Sequence, residues 1–191
     1  MQHEDHAPRI LAGDLRGRKL EVAPGKTTRP LKALARRSLF DSIQDRIPGA
    51  RVLDVFAGTG AIAFEALSRG ASHATLVEAG RPALSALHRN VATLGLRDRV
   101  TLLAQDAVTF APPAGTQYDW IYLGPPFPFF RGPARPQLLA LLARTPSWLA
   151  SGGLLVLETP NGEPEIALPP LLVERVKDHG ASVLTHYVAG E

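Results

Sequence analysis

The chain has 191 residues, no cysteine and a formal net charge of +3, with 45% hydrophobic and 20% charged residues. That length suits one domain of ordinary size, the missing cysteines exclude disulfides and thiolate metal sites, and the apolar content excludes a disordered tail. No apolar run approaches the roughly 18 residues of a membrane span, and the polar residues 1–6 lack the apolar stretch of a secretory signal, so a cytoplasmic protein is expected.

The charge is unevenly spread. Residues 9–37 hold nine Lys/Arg against Asp14 and Glu21, which gives +7 there and leaves −4 on the other 162 residues. Such a basic element on a mildly acidic body suits a polyanion such as nucleic acid, and equally describes a solvated basic surface. Within it, residues 9–22 alternate short apolar pieces with Gly13 and Gly17 and are expected to form a small β-hairpin, broken at Pro24-Gly25. Pro30 then suits the first turn of a helix running to about Arg46. Leu31, Ala35, Leu39 and Ile43 fall four apart as its buried stripe, with Lys32 and Arg36 flanking it toward the outside.

From Arg51 onward, apolar runs at residues 51–55, 74–78, 100–103, 120–123 and 154–158 are separated, in the main, by helix-like segments at 61–69, 81–94 and 136–149. Strands alternating with helices predict a parallel sheet covered on both faces. The last two runs, 171–177 and 182–188, are only four residues apart and predict an antiparallel hairpin, so the sheet of seven strands ends mixed. The chain therefore divides into a basic hairpin-and-helix extension, residues 1–49, and an α/β domain, residues 50–191. The six histidines show no ligand spacing, so no metal site is expected.

The most informative stretch is Asp54-Val55-Phe56-Ala57-Gly58-Thr59-Gly60, a buried strand that turns through glycines straight into a helix. Glycines at 58 and 60 allow close backbone approach, and the helix start presents unpaired N–H groups to an electron-rich ligand. Glu78 ends the second strand, where an acid accepts two hydrogen bonds from ribose hydroxyls. Asp106 follows the third strand, placed to accept from an adenine amino group while the adjoining backbone at Ala107 reads a ring nitrogen. An acid at Asp54 repels a pyrophosphate and suits the cationic amino-acid end of S-adenosylmethionine, which argues against a dinucleotide.

This series resembles the binding site of class I S-adenosylmethionine-dependent methyltransferases, and within them the chain resembles the RsmD family of bacterial 16S rRNA guanine-N2 methyltransferases. The likeness runs from about Arg9 to Val188. It includes Arg9-Ile10-Leu11-Ala12-Gly13, Arg16-Gly17-Arg18-Lys19-Leu20, Arg29-Pro30, Arg36, Leu39-Phe40, Glu65-Ala66-Leu67-Ser68-Arg69-Gly70-Ala71, and residues 175–187. It departs after Arg29-Pro30, where the family has Thr and Asp and this chain has Leu31, Lys32 and Ala33.

The resemblance implies a Rossmann-like class I fold that binds S-adenosylmethionine through Asp54, Phe56, Ala57, Gly58, Thr59, Gly60, Glu78, Asp106 and Ala107. It implies methyl transfer to the exocyclic N2 amine of a guanine in 16S rRNA, with the small ribosomal subunit as partner, no DNA and a monomeric enzyme. Arg9, Arg16, Arg18, Lys19 and Arg29 would hold phosphates, and Arg36 a phosphate or base.

In this family the fourth strand ends in Asp/Asn-Pro-Pro-Phe/Tyr. The acid or amide and a proline carbonyl accept hydrogen bonds from the amine, and the ring stacks on the base for about 1–3 kcal/mol. Here the catalytic loop reads Gly124-Pro125-Pro126-Phe127, with glycine in place of the acid. Three readings stand: the backbone carbonyls of Gly124 and Pro125 suffice, a neighbouring side chain such as Asp106 substitutes, or the protein binds cofactor and RNA without methylating. Asp119 lies at the far end of the strand, roughly 15 Å away at ~3.3 Å per residue, and is a poor substitute. A methyltransferase for another amine substrate is the remaining alternative.

Overall fold

The computed structural model describes residues 7–23 and 31–190. Pro24-Gly25, Arg29 and Pro30, on which expectations were placed, lie outside the described residues. The chain runs through α1 (Ala33–Ser42), β1 (Arg51–Val55), α2 (Ala61–Ser68), β2 (His73–Glu78), α3 (Arg81–Leu94), β3 (Val100–Ala104), β4 (Tyr118–Leu123), α4 (Arg135–Arg144), β5 (Leu149–Pro160), β6 (Leu171–Asp178) and β7 (Ser182–Ala189).

These strands form one seven-stranded sheet in the order β3-β2-β1-β4-β5-β7-β6. The first five are parallel, and β7 runs antiparallel to both β5 and β6. The mixed sheet with a terminal hairpin is thus as the sequence predicts. The strand order runs outward from β1 to β3 on one side and from β4 to β5 on the other, so it reverses between β1 and β4, a position where open α/β sheets hold ligands beyond their carboxyl ends. Val52, Leu53, Asp54 and Val55 are all buried, as a central strand covered on both faces requires. One cluster of buried side chains fills each face of the sheet.

Two helices are shorter than predicted. α1 ends at Ser42 and a 3-10 turn, Gln44–Arg46, completes the segment. α4 stops at Arg144 and gives way to the 3-10 turn Thr145–Trp148. Pro146 lacks the N–H that would continue the helix, and its ring meets the preceding turn.

The stripe Leu31, Ala35, Leu39 and Ile43 is buried as predicted, but the outward placement of Arg36 is corrected: it is 2% exposed. The reason lies opposite, on α2, where the fully buried Glu65 draws the guanidinium inward (Nε to Oε2, 3.9 Å). Buried charges are tolerated when paired in this way.

The N-terminal segment folds back on itself as the predicted small hairpin: Arg9 bridges Lys19, and Ile10 N–H donates to the Arg18 carbonyl (3.0 Å), Leu20 N–H to the Pro8 carbonyl (2.9 Å) and Gly17 N–H to the Ile10 carbonyl (2.8 Å). The backbone donors between its two arms turn to α2. Leu11 and Ala12 N–H donate to Glu65 Oε2 and Oε1 (2.7 and 3.1 Å), Asp14 N–H to the Ser68 carbonyl (2.9 Å), and Leu15 N–H to Ser68 Oγ (2.9 Å). Gly13 (φ +79°) lies so close that a Cβ would sit 1.8 Å from the Ser68 carbonyl oxygen. Ile10 and Leu20 join the same buried cluster as α1, β1 and α2, so residues before and after position 49 share a core.

Glu65 also accepts from Arg69 Nε (2.8 Å). Replacing it removes the counter-charge of the buried Arg36, whose Nη2 still donates to the Arg9 carbonyl, and leaves two backbone N–H groups without an acceptor. We expect Glu65→Ala to cost about 3–5 kcal/mol in urea unfolding, the range for breaking a buried ion pair. A loss below about 1 kcal/mol would show that the segment docks without it.

Candidate functional site

At the carboxyl ends of β1 and β4 the structure opens a cleft. Asp54, Phe56, Gly58, Thr59 and Gly124 line it, as expected for the glycine loop and the catalytic loop, and so do Arg36, Tyr122 and Glu158. The loop is shaped by backbone conformation. Gly60 (φ +73°) caps the start of α2, and a Cβ there would meet the Phe64 ring at 2.4 Å. Phe56 has φ +72° and is the one non-glycine residue with positive φ among the described residues. That conformation carries a cost of about 1–3 kcal/mol and is found where a site holds it in place.

The polar groups are arranged around this loop. Glu78, at the tip of β2, accepts from Gly58 N–H (2.8 Å) and Gly80 N–H (2.7 Å), so its carboxylate spans the glycine loop and the start of α3. Gln105 N–H donates to the Glu78 carbonyl (3.1 Å), which holds the turn after β3 against β2. There Asp106 is exposed and accepts from Val108 N–H (3.0 Å), while Ala107 is buried. Ala57 is buried and lines the cleft beside Gly58.

Two buried atoms in the cleft stand out for what they lack. Asp54 Oδ2 and Arg36 Nε have no hydrogen-bond partner among the described residues. Buried polar atoms are ordinarily satisfied, so an acceptor and a donor left open in one cleft fit a ligand carrying both charges. Burial pushes the Asp54 carboxyl up to about 7; a backbone N–H from Ala63 opposes this and the charge of Glu78 adds to it. Burial likewise lowers the pKa of Arg36 from its ordinary value, against the pull of Glu65. A zwitterionic amino-acid group would supply an ammonium to one atom and a carboxylate to the other. These residues therefore fit S-adenosylmethionine.

On the loop after β4, Pro125 is buried and Phe127 is half-buried at the start of the 3-10 turn Phe127–Phe130. The aromatic cluster divides from there: Phe130 enters the core, and Phe129 packs edge-on against Phe56 at 5.8 Å between centroids. Asp119 lies at the opposite end of β4, accepting from Arg51 N–H (2.7 Å), as the strand direction predicts.

Tyr122 and Glu158 were not singled out from the sequence. Tyr122 donates its hydroxyl to Glu158 Oε2 at 2.6 Å, and Glu158 Oε1 accepts from Ser182 Oγ at 2.7 Å. Burial first, and then the Glu158 charge, hold the phenol protonated well above its ordinary pKa. Glu158 closes a predicted strand, and an acid ending a buried strand was the available signal; its neighbour across the sheet was not readable.

The basic residues separate into two groups. Arg9, Arg16, Arg18 and Lys19 are exposed on the N-terminal segment, with Arg9 donating to the Gly17 carbonyl (3.0 Å) and Arg18 to the Thr93 carbonyl (2.8 Å). Arg36 is inside, in the cleft, and Arg29 lies outside the described residues.

Residues 8–188 match the family described as Conserved hypothetical protein 95. The chain is 36% identical over 160 residues to the ribosomal RNA small subunit methyltransferase D of Escherichia coli K12, covering 83% of this chain and 78% of that protein. Its counterpart in Haemophilus influenzae is 33% identical over 161 residues, covering 83% and 81%. Among solved structures, the putative methyltransferase yhhF of Escherichia coli superposes with a TM-score of 0.82 at 33% identity, over 95% of this chain and 97% of that one. A putative methylase of Haemophilus influenzae gives 0.78 at 30% identity, over 97% and 99%. With the glycine loop, the acids at the strand tips and the sheet order all in place, the chain belongs to the RsmD family of methyltransferases and has its class I fold.

Proposed function

We propose that this protein transfers a methyl group from S-adenosylmethionine to the exocyclic N2 amine of a guanine in 16S rRNA of the small ribosomal subunit. The observation that carries the reading is the pair of unpartnered buried atoms, Asp54 Oδ2 and Arg36 Nε, in a cleft that also contains the glycine loop and Gly124. The names of the relatives, ribosomal RNA small subunit methyltransferase D, support the substrate class.

S-adenosylmethionine supplies an electrophilic methyl group on a sulfonium. Asp54 holds the ammonium of its amino-acid end and Arg36 the carboxylate, a role that replaces the RNA contact expected of Arg36. Glu78 accepts from the ribose hydroxyls, and Asp106 with the Ala107 backbone reads the adenine. Gly124 and Pro125 offer carbonyl acceptors near the amine, Pro126 stiffens the loop, and Phe127 stacks on the base. In-line placement of amine and methyl accounts for much of the rate in such a reaction. Arg9, Arg16, Arg18, Lys19 and Arg29 engage phosphates, and the guanine is unpaired or turned out of its stack to reach the cleft.

The reading is tested by incubating the protein with methyl-labelled cofactor and under-methylated small subunits, then digesting the RNA to nucleosides. Label in N2-methylguanosine is expected; no label, or label in another nucleoside, would overturn it. The double variant Arg16→Ala/Arg18→Ala should weaken RNA binding and reduce the slope of log affinity against log salt by about 1.5–2, leaving affinity for S-adenosylhomocysteine unchanged.

Cofactor binding should also depend on pH. Asp54 is mostly neutral below about 7 and ionised above it, and only the ionised form attracts the ammonium. Affinity for S-adenosylhomocysteine is therefore expected to fall by about tenfold from pH 8 to pH 6, a full pH unit below that midpoint. Asp54→Asn should weaken binding at pH 8 and flatten the profile. Because this carboxyl is raised in the fold, the unliganded protein should in turn lose stability as pH rises through about 7. A wild-type affinity that does not change with pH would contradict the assignment.

A further inference from the structure

The catalytic loop lacks its acid, and the sheet register shows what stands nearby. Leu123 of β4 pairs with Val55 of β1 on one side and with Leu157 of β5 on the other. One residue further along, Gly124 and Glu158 therefore follow side by side at the ends of neighbouring parallel strands. Side chains so placed project to the same face, so a side chain at 124 and that of Glu158 would stand side by side.

Tyr122, two residues before Gly124, lies on that face as well. An ideal Cβ at 124 would fall 2.8 Å from Tyr122 Cε1 and 3.5 Å from its hydroxyl oxygen. The ring is held there by its 2.6 Å hydrogen bond to Glu158, which Ser182 anchors from β7. Glycine at 124 thus leaves room for a phenol where a carboxylate would otherwise project. Gly124, Tyr122 and Glu158 all line the cleft that contains Asp54 and Arg36.

We propose that the Tyr122–Glu158 pair takes the place of the missing acid, with the Tyr122 hydroxyl oxygen accepting a hydrogen bond from the exocyclic amine of the substrate and Glu158 positioning it. Tyr122 has one proton, and the structure commits it to Glu158. Its oxygen lone pairs then serve only as acceptors. Donation to a carboxylate strengthens the phenol as an acceptor, because hydrogen bonds in a chain polarise one another. Tyr122 is the residue that touches substrate; Glu158 acts through it, fixing the ring and the direction of the hydroxyl proton. This assignment rests on the proposed guanine-amine function.

The test uses the full chain saturated with S-adenosylhomocysteine, together with methyl transfer to under-methylated small subunits. Wild type should bind guanosine monophosphate more tightly than inosine monophosphate, which lacks the amine, in NMR titrations. Tyr122→Phe should lose that preference and lose roughly 10²–10³-fold in kcat, the scale for removing one oriented group from an active site. Its affinity for S-adenosylhomocysteine should stay within threefold of wild type. Glu158→Gln should show the same pattern more weakly.

Gly124→Asp alone should not raise the rate, since its Cβ meets the tethered ring. In the Tyr122→Phe background, where the ring is free to withdraw, Gly124→Asp should recover at least tenfold, a gain that a purely structural tyrosine would not produce. Transfer by Tyr122→Phe within threefold of wild type, or an unchanged guanosine preference, would overturn the pair while leaving the methyltransferase reading standing. Wild-type protein that neither methylates guanine nor prefers guanosine would overturn both. Wild-type preference for guanosine that Tyr122→Phe abolishes supports the pair even without turnover.

Discussion

A single buried carboxylate, Glu65, links the two ends of this structure. From the face of α2 it accepts backbone N–H groups of Leu11 and Ala12, receives Arg69, and draws Arg36 out of solvent. The consequence reaches in both directions. The basic N-terminal segment is pinned to the methyltransferase domain by hydrogen bonds that only a fixed acceptor can provide. Arg36, pulled inward, lines the cleft while its Nε stays without a hydrogen-bond partner among the described residues. Desolvating three charged groups is costly, and here the cost is met by mutual pairing and by backbone donors. The basic arm and the cleft therefore share one electrostatic anchor.

The second constraint is the pleat of a parallel sheet. Residues in register on β1, β4 and β5 share a face, so Asp54, Tyr122 and Val156 fall in one row, and Gly124 and Glu158 stand on the same face two residues further along. The cleft draws its chemistry from this one face at the carboxyl ends, where the glycine loop interrupts the packing. An unpartnered acceptor and a phenol–carboxylate pair are held there by strands that are themselves buried, and Arg36 joins them from α1. Strain is confined to the same place, in the positive φ of Phe56.

Much of this was legible in the sequence because it is local. The apolar runs marked all seven strands, the four-residue connection after Lys177 announced the antiparallel end, and the glycine loop stands beside Glu78 as the spacing suggested. What was not legible is what depends on neighbours across the fold. Arg36 sits beside a helical stripe and was assigned to the outside; the partner that takes it inside is 29 positions away on α2. Tyr122 and Glu158 are 36 positions apart and meet only because β4 lies next to β5. The N-terminal segment is the hairpin its apolar alternation announces, but the docking of Leu11 and Ala12 on Glu65 of α2 was not readable. In each case the sequence named the residue type and the topology chose its partner.

In the proposed function, the amino-acid end of the cofactor lies between Asp54 and Arg36, with the amine acceptor alongside. A crystal structure with S-adenosylhomocysteine bound tests this most directly. The ligand carboxylate should accept from Arg36 Nε and its ammonium should donate to Asp54 Oδ2, with the sulfur turned toward Gly124 and Tyr122. A ligand whose amino-acid end contacts neither residue, or lies outside this cleft, would contradict it.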